Sequence, residues 1–272
     1  MDFFDRLADR IAATDSVVCV GLDPDLDRLP AAVRDDDLPR WAFNRRIIDA
    51  THEVAAAYKP NAAFYEDPDG WRALEETIAY AAGRDVPVIL DAKRADIGNT
   101  ARQYAKLLDD VDAITVNPYM GEDSLAPFLQ HETAGVFVLC RTSNPGAADL
   151  QSLELDDGTC VYEHVADLAA SWSDGQVGLV VGATAPDELE SLRERVPSLP
   201  FLVPGVGAQG GDAAAAVEYG LAPASSGPDV GLVNSTRGII FAGDAPGIGP
   251  DEYFDAAGRA ARSLRRTLNE HR

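Results

Sequence analysis

Short runs of branched and small apolar residues recur along the chain at 16–23, 57–61, 87–93, 113–118, 135–142, 176–183, 201–207 and 230–236. Each is nearly continuous in hydrophobicity and bounded by turn-forming residues, the pattern of a strand buried on both faces. Longer amphipathic stretches that read as helices separate them. Strands alternating with helices predict parallel βαβ units, and eight such units in 272 residues predict an α/β fold closed into a single (β/α)8 barrel of the TIM type. Ahead of the first strand, Phe3, Phe4, Leu7, Ala8 and Ile11 recur at helical spacing, so residues 2–13 are expected to form an amphipathic helix capping the body. Residues 250–272 read as a closing helix whose cations, Arg259 to Arg266, answer a local acidic surface. No linker, repeat or low-complexity tract interrupts the pattern, and 1–272 is expected to be one domain. An open doubly wound sheet is the competing topology, but the glycine-rich dinucleotide fingerprint after the first strand is absent.

Composition changes this picture only through charge. Asp plus Glu number 45 against 23 Lys plus Arg, a net charge of −22. That balance argues against nucleic acid or an anionic membrane surface as partner, and it requires local cations wherever an anion is held. The acidic residues are spread through the segments between strands, the distribution expected of a protein adapted to concentrated salt. Three cysteines cannot build a disulfide framework, and the four histidines are scattered, so no zinc-like cluster is expected. The N-terminus lacks a basic region followed by an apolar core, and no apolar run approaches the ~18 residues of a membrane span. A cytoplasmic protein is expected.

In such a barrel the chemistry sits where strands end at their C-terminal side. The third strand ends in Asp91-Ala92-Lys93-Arg94-Ala95-Asp96-Ile97-Gly98-Asn99-Thr100. Residues two apart in a strand share a face, so Asp91 and Lys93 are expected to converge, and Asp96 and Thr100 share a face if a helix begins after Ile97. The first strand ends at Asp23, which taken alone could be a turn aspartate before Pro24. The second ends at Lys59, followed by Pro60 and Asn61. The fifth ends in Thr142-Ser143-Asn144-Pro145-Gly146, a strong turn signal. Thr184 and Asp187, after the sixth, look like a helix cap. The seventh runs into Pro204-Gly205-Val206-Gly207-Ala208-Gln209-Gly210-Gly211, whose glycines let backbone amides approach an anion. The eighth supplies Arg237, whose guanidinium can grip phosphate in bidentate fashion.

The ten residues from Asp91 to Thr100 resemble the D-x-K-x-x-D-I-x-x-T signature of the orotidine 5′-monophosphate decarboxylases, and the other strand ends extend the resemblance over nearly the whole chain. The resemblance implies conversion of orotidine 5′-monophosphate to UMP without cofactor or metal. It implies that Asp23 binds a ribose hydroxyl and that Lys59 contacts the ribose and the catalytic aspartate. It places Ser143 on the pyrimidine edge, and Gln209 and Arg237, beside Pro204, on the phosphate. Asp96 and Thr100 would reach the site of a second subunit, making a homodimer with shared sites. The Asn117-Pro118-Tyr119 segment resembles a turn element of one branch of the family and is expected to be structural; Asn61 receives no role.

The residues themselves constrain the chemistry. A lysine flanked by carboxylates is favoured in its ammonium form, which argues against a Schiff-base aldolase and for an acid that protonates a carbanion formed beside it. Asp91, Lys93 and Asp96 sum to −1. A substrate carboxylate pressed against Asp91 meets repulsion of about 4 kcal/mol at 4 Å for an effective dielectric near 20, and loss of carbon dioxide relieves it. Two rivals stand beside this reading. One is a magnesium-dependent sugar-phosphate decarboxylase or synthase of the same superfamily, whose metal-binding acid would occupy the place of Lys59. The other is a silent nucleotide-binding protein that kept the phosphate cup.

Overall fold

In the computed structural model of the chain, residues 1–172, 175–207, 210–224 and 227–272 are described. Eight parallel strands form the sheet: β1 (Val18–Leu22), β2 (Ala57–Pro60), β3 (Ile89–Arg94), β4 (Ala113–Val116), β5 (Gly135–Arg141), β6 (Val177–Val181), β7 (Phe201–Pro204) and β8 (Leu232–Ser235). Their order is β2-β1-β8-β7-β6-β5-β4-β3. The remaining seam, β2 to β3, is joined by the bridges Tyr58↔Val88 and Asn61↔Asp91, which complete the (β/α)8 barrel. β1, β2, β4 and β6 are buried along their whole length, as expected of strands covered by barrel interior on one face and helices on the other.

The strands are shorter than their apolar runs at specific residues. β3 begins at Ile89, beyond Pro87, which has no N–H to donate and contributes only its carbonyl, accepting from Tyr58 N–H at 2.9 Å. β7 stops at Pro204 because Gly205 and Gly207 follow with φ of +110° and +95°. The helix after β6 spans Pro186–Arg195 with Ala185 at its N-cap and no side-chain cap, so Thr184 lies one residue outside the expected capping position.

The N-terminal helix Phe3–Thr14 is capped by Asp2, whose carboxylate accepts from Asp5 N–H at 2.8 Å. Its buried face carries Phe3, Phe4, Leu7 and Ile11. The rings of Phe3 and Phe4 meet Phe137 edge-on at 5.9 and 5.6 Å, near the start of β5. The helix therefore closes the end of the barrel where strands begin, leaving the other end open. The C-terminal helix Tyr253–Asn269 returns to this cap, where Asn269 Nδ2 and Arg265 donate to the carbonyls of Asp15 and Thr14.

Candidate active site

At the open end, β2 and β3 bring charged groups to the rim and β4 brings a hydroxyl. Lys59, 5% exposed, extends its ammonium to Asp91 Oδ2 at 2.9 Å. Lys93 Nζ reaches the other oxygen, Oδ1, at 2.6 Å, and the Thr115 hydroxyl donates to that oxygen at 2.9 Å. Asp91 thus accepts three hydrogen bonds, two of them from cations. Burial alone would raise its carboxyl, but the two ammonium groups outweigh burial and hold it below the usual carboxylate range. Burial would lower the ammonium of Lys59; Asp91 and Asp23 outweigh that and hold it above the ordinary lysine range. Asp23, at the end of β1, is pushed up by burial with Lys59 opposing, and its Oδ1 is buried without a hydrogen-bond partner in the described structure.

Asp91 and Lys93 converge, though not by plain strand alternation. The β3–β4 ladder pairs Leu90 with Ile114 and then Arg94 with Val116, so Asp91, Ala92 and Lys93 together span the single residue Thr115. Lys93 itself has a φ of +49°. A left-handed conformation at a residue with a Cβ costs about 1–3 kcal/mol and persists only where the surroundings over-determine it. Here the Lys93 N–H, turned off the ladder, donates to Thr115 Oγ1 at 2.9 Å.

A cavity of about 360 Å³ opens beside Asp23 and runs to the loops after β7 and β8. Pro204, Gly205 and Arg237 line its far wall. Arg237 is exposed, and its guanidinium makes no hydrogen bond or ion pair among the described residues, its carbonyl alone accepting from Phe241 N–H at 3.3 Å. Gly21, on β1, is required by close approach, because a Cβ there would fall 1.9 Å from Thr236 Oγ1. Asn234 is buried, and its Oδ1 has no partner in the described structure. Arg28, not anticipated from the sequence, lines the same cavity. Its guanidinium stacks over the Phe241 ring at 3.7 Å and is steadied by Asp244 at 2.8 Å. The sequence signal for it was an isolated cation following Asp23, Asp25 and Asp27 in an acidic run. Arg141, at the end of β5, is instead committed to Glu188 through two bonds of 2.6 and 3.1 Å.

The remaining expected residues lie apart from this arrangement. Asp96 Oδ1 accepts from Ile97 N–H at 2.7 Å and pairs with neither Lys59 nor Lys93, both of which bond Asp91. Thr100 is exposed on the helix Gly98–Ala105, which begins one residue past Ile97. Asp96 precedes that helix, so the two do not share one of its faces. Ser143 is half-buried after β5, packed so closely on Gly182 that an added Cβ there would come within 2.9 Å of the serine's own Cβ. Gln209 lies outside the described residues.

Comparison with known proteins adds names to this geometry. Residues 16–247 match the model of the orotidine 5′-phosphate decarboxylase / HUMPS family. The chain is 70% identical over 276 residues to an orotidine 5′-phosphate decarboxylase of Halorubrum lacusprofundi, covering all of both chains. It is 67% identical over 282 residues to that of Haloarcula marismortui, again covering all of both. The solved OMP decarboxylase of Leishmania donovani superposes with a TM-score of 0.82 at 41% identity, covering 100% of this chain and 98% of that one.

Proposed function

Because the chain belongs to the orotidine 5′-phosphate decarboxylase / HUMPS family, whose model spans residues 16–247, we propose that it decarboxylates orotidine 5′-monophosphate to UMP using the ion network around Asp91. The reaction follows from the family and from relatives of that name aligned over their full length. The observation that supports the assignment of roles is the Lys59–Asp91–Lys93 network, three charges held within hydrogen-bond distance at one barrel rim.

In this reading the phosphate lies at the loops after β7 and β8, gripped by Arg237 and Gln209 beside Pro204, while Asp23 and Lys59 take the ribose and Ser143 the pyrimidine edge. The substrate carboxylate at carbon 6 is brought against Asp91, which the two lysines keep ionised at neutral pH. The carbon–carbon bond breaks, carbon dioxide leaves, and the electron pair stays on carbon 6. Lys93 stabilises that pair as a cation and then transfers a proton to carbon 6, giving UMP and a neutral amine that water reprotonates. No step calls for a cofactor or metal. Lys59 stands where the magnesium-dependent relatives would need an acid, and an ammonium there repels a divalent cation. Phosphate binding far from carbon 6 supplies free energy to order the reacting end.

The shared-site homodimer belongs to the same proposal. Asp96 and Thr100 pair with neither Lys59 nor Lys93 of their own chain, and Ile97 between them is 59% exposed, consistent with a second subunit covering this segment. Mixing inactive Lys93→Ala and Asp96→Ala proteins should then restore activity through heterodimers holding one intact site. No recovery after demonstrated subunit exchange would refute sharing. The acidic surface and the haloarchaeal relatives agree with a cytoplasm rich in salt.

The assignment is tested by following the ultraviolet absorbance of orotidine 5′-monophosphate in molar KCl with EDTA present. Turnover by the wild type and its loss in Lys93→Ala are expected. A folded wild type that turns over only when magnesium and a sugar phosphate are supplied would transfer the chain to the metal-dependent relatives.

A further inference from the structure

We infer that Thr115 is the residue that positions both halves of the catalytic pair, holding Lys93 through its backbone and Asp91 through its carboxylate. The inference rests on the reading above, in which Lys93 delivers the proton. Three residues of β3, Asp91 to Lys93, stand opposite Thr115 alone, so the ladder of backbone bonds cannot serve them all. The Thr115 hydroxyl replaces the missing partner. It accepts from Lys93 N–H at 2.9 Å and donates its proton to Asp91 Oδ1 at 2.9 Å. That oxygen is also the one Lys93 Nζ contacts at 2.6 Å, so hydroxyl, carboxylate and lysine close a ring.

The residue is 1% exposed, and the hydroxyl has both a donor and an acceptor inside this ring. A hydroxyl has one proton to give and lone pairs to receive, and serine is the other small side chain able to do both here. The consequence is a fixed distance between Asp91, against which the substrate carboxylate is pressed, and the ammonium that must meet carbon 6. With the hydroxyl removed, the Lys93 N–H loses its hydrogen-bond partner, a bond that lies partly buried. The lysine backbone, at φ +49°, is then free to relax toward the right-handed region and swing Nζ away.

Thr115→Val keeps the shape and removes both bonds. It should lower kcat on the order of 10- to 100-fold, the cost of misplacing a reacting group by about 1 Å. KM and the affinity for UMP should stay within about twofold, since the phosphate and ribose contacts are elsewhere. Thr115→Ser should recover kcat to within about threefold, which a loss of packing alone would not permit. Backbone amide exchange at Lys93 should be slow in the wild type and in the serine variant and fast in the valine variant. If valine does not fold, Thr115→Ala is compared with Thr115→Ser by the same ratio of kcat values. An unchanged kcat without the hydroxyl, or a serine variant as impaired as valine, overturns the inference. Lys93→Ala, run alongside, separates the two levels: surviving turnover there would remove the role of Lys93, whereas a dead Lys93→Ala beside an unaffected Thr115→Val removes only that of Thr115.

Discussion

The two ends of the site are built on opposite principles. At the β2–β3–β4 end, Lys59, Lys93 and Thr115 satisfy Asp91 before any ligand arrives, and Lys59 and Asp91 keep only 6% and 12% of their side-chain surface exposed. At the β7–β8 end, the guanidinium of the exposed Arg237 has no partner among the described residues, and the loop after β7 turns through left-handed glycines at 205, 207 and 210. A preorganised charge cluster is costly to assemble but needs no rearrangement while the reaction proceeds. An open cationic loop is cheap to maintain and gains its order from the ligand. The contrast matches the proposed division of labour, in which the phosphate end supplies binding and the lysine end uses it.

The sharpest way to break the comparison is Asp91→Asn. Removing the carboxylate leaves the buried ammonium of Lys59 facing Asp23 alone, and breaking a buried pair costs about 3–5 kcal/mol. Chemical denaturation should show that loss at neutral pH together with loss of turnover. The pH dependence carries the sign. The Asp91 carboxyl titrates lower in the folded protein than in the unfolded chain, so the unfolded chain binds more protons at acid pH. Its stabilisation is therefore complete above the ordinary carboxylate pKa of about 4 and fades as pH falls toward the depressed folded value. The wild type should lose stability over that window more steeply than Asp91→Asn, and parallel profiles would contradict the preorganised end.

At the open end the effects should fall on kcat/KM and spare the fold. Arg237→Ala removes a charged partner of the phosphate worth about 1.5–3 kcal/mol, which corresponds to a fall in kcat/KM of roughly 10- to 150-fold at nearly unchanged melting temperature. Arg28→Ala should act in the same direction by about threefold to tenfold, because its guanidinium is already shared with Asp244 and Phe241. Steady-state kinetics with orotidine 5′-monophosphate distinguishes the two, and a larger effect at Arg28 would redraw the phosphate end. The smallest expected change is global. Raising KCl from dilute to molar shortens the screening length to about 3 Å and should raise the melting temperature by a few degrees, reflecting a net charge of −22. A melting temperature indifferent to salt would remove the halophilic reading.

Much of this was legible in the order of residues. The eight apolar runs announced the barrel because burial on both faces forces hydrophobic continuity, and Phe3, Phe4, Leu7 and Ile11 announced the cap by their spacing. Asp91 and Lys93 could be read because the ten residues from Asp91 to Thr100 together resemble the family signature, whereas an acid–lysine pair at a strand end would by itself fit an ordinary surface ion pair. Thr115 could not be read as readily. Its only signal is a hydroxyl within the apolar run Ala113-Ile114-Thr115-Val116, a strand buried on both faces. The expectation that Asp91 and Lys93 converge by simple alternation reached the right contact through the wrong geometry, since the bulge and the left-handed Lys93 do the placing.

By itself, then, the sequence determined the barrel, because strands and helices follow from local hydrophobic period, while the charged residues at the strand ends were marked out by their resemblance to the family signature. Tertiary structure alone decided which oxygen of Asp91 each lysine takes, that Thr115 stands opposite three residues of β3, and that Arg28 folds over Phe241 into the cavity. It also decided that Asp96 and Thr100 pair with neither Lys59 nor Lys93 of their own chain. Those are matters of register and of contact between segments distant in the chain, such as Arg28 and Asp244, and no local pattern of hydrophobicity encodes them.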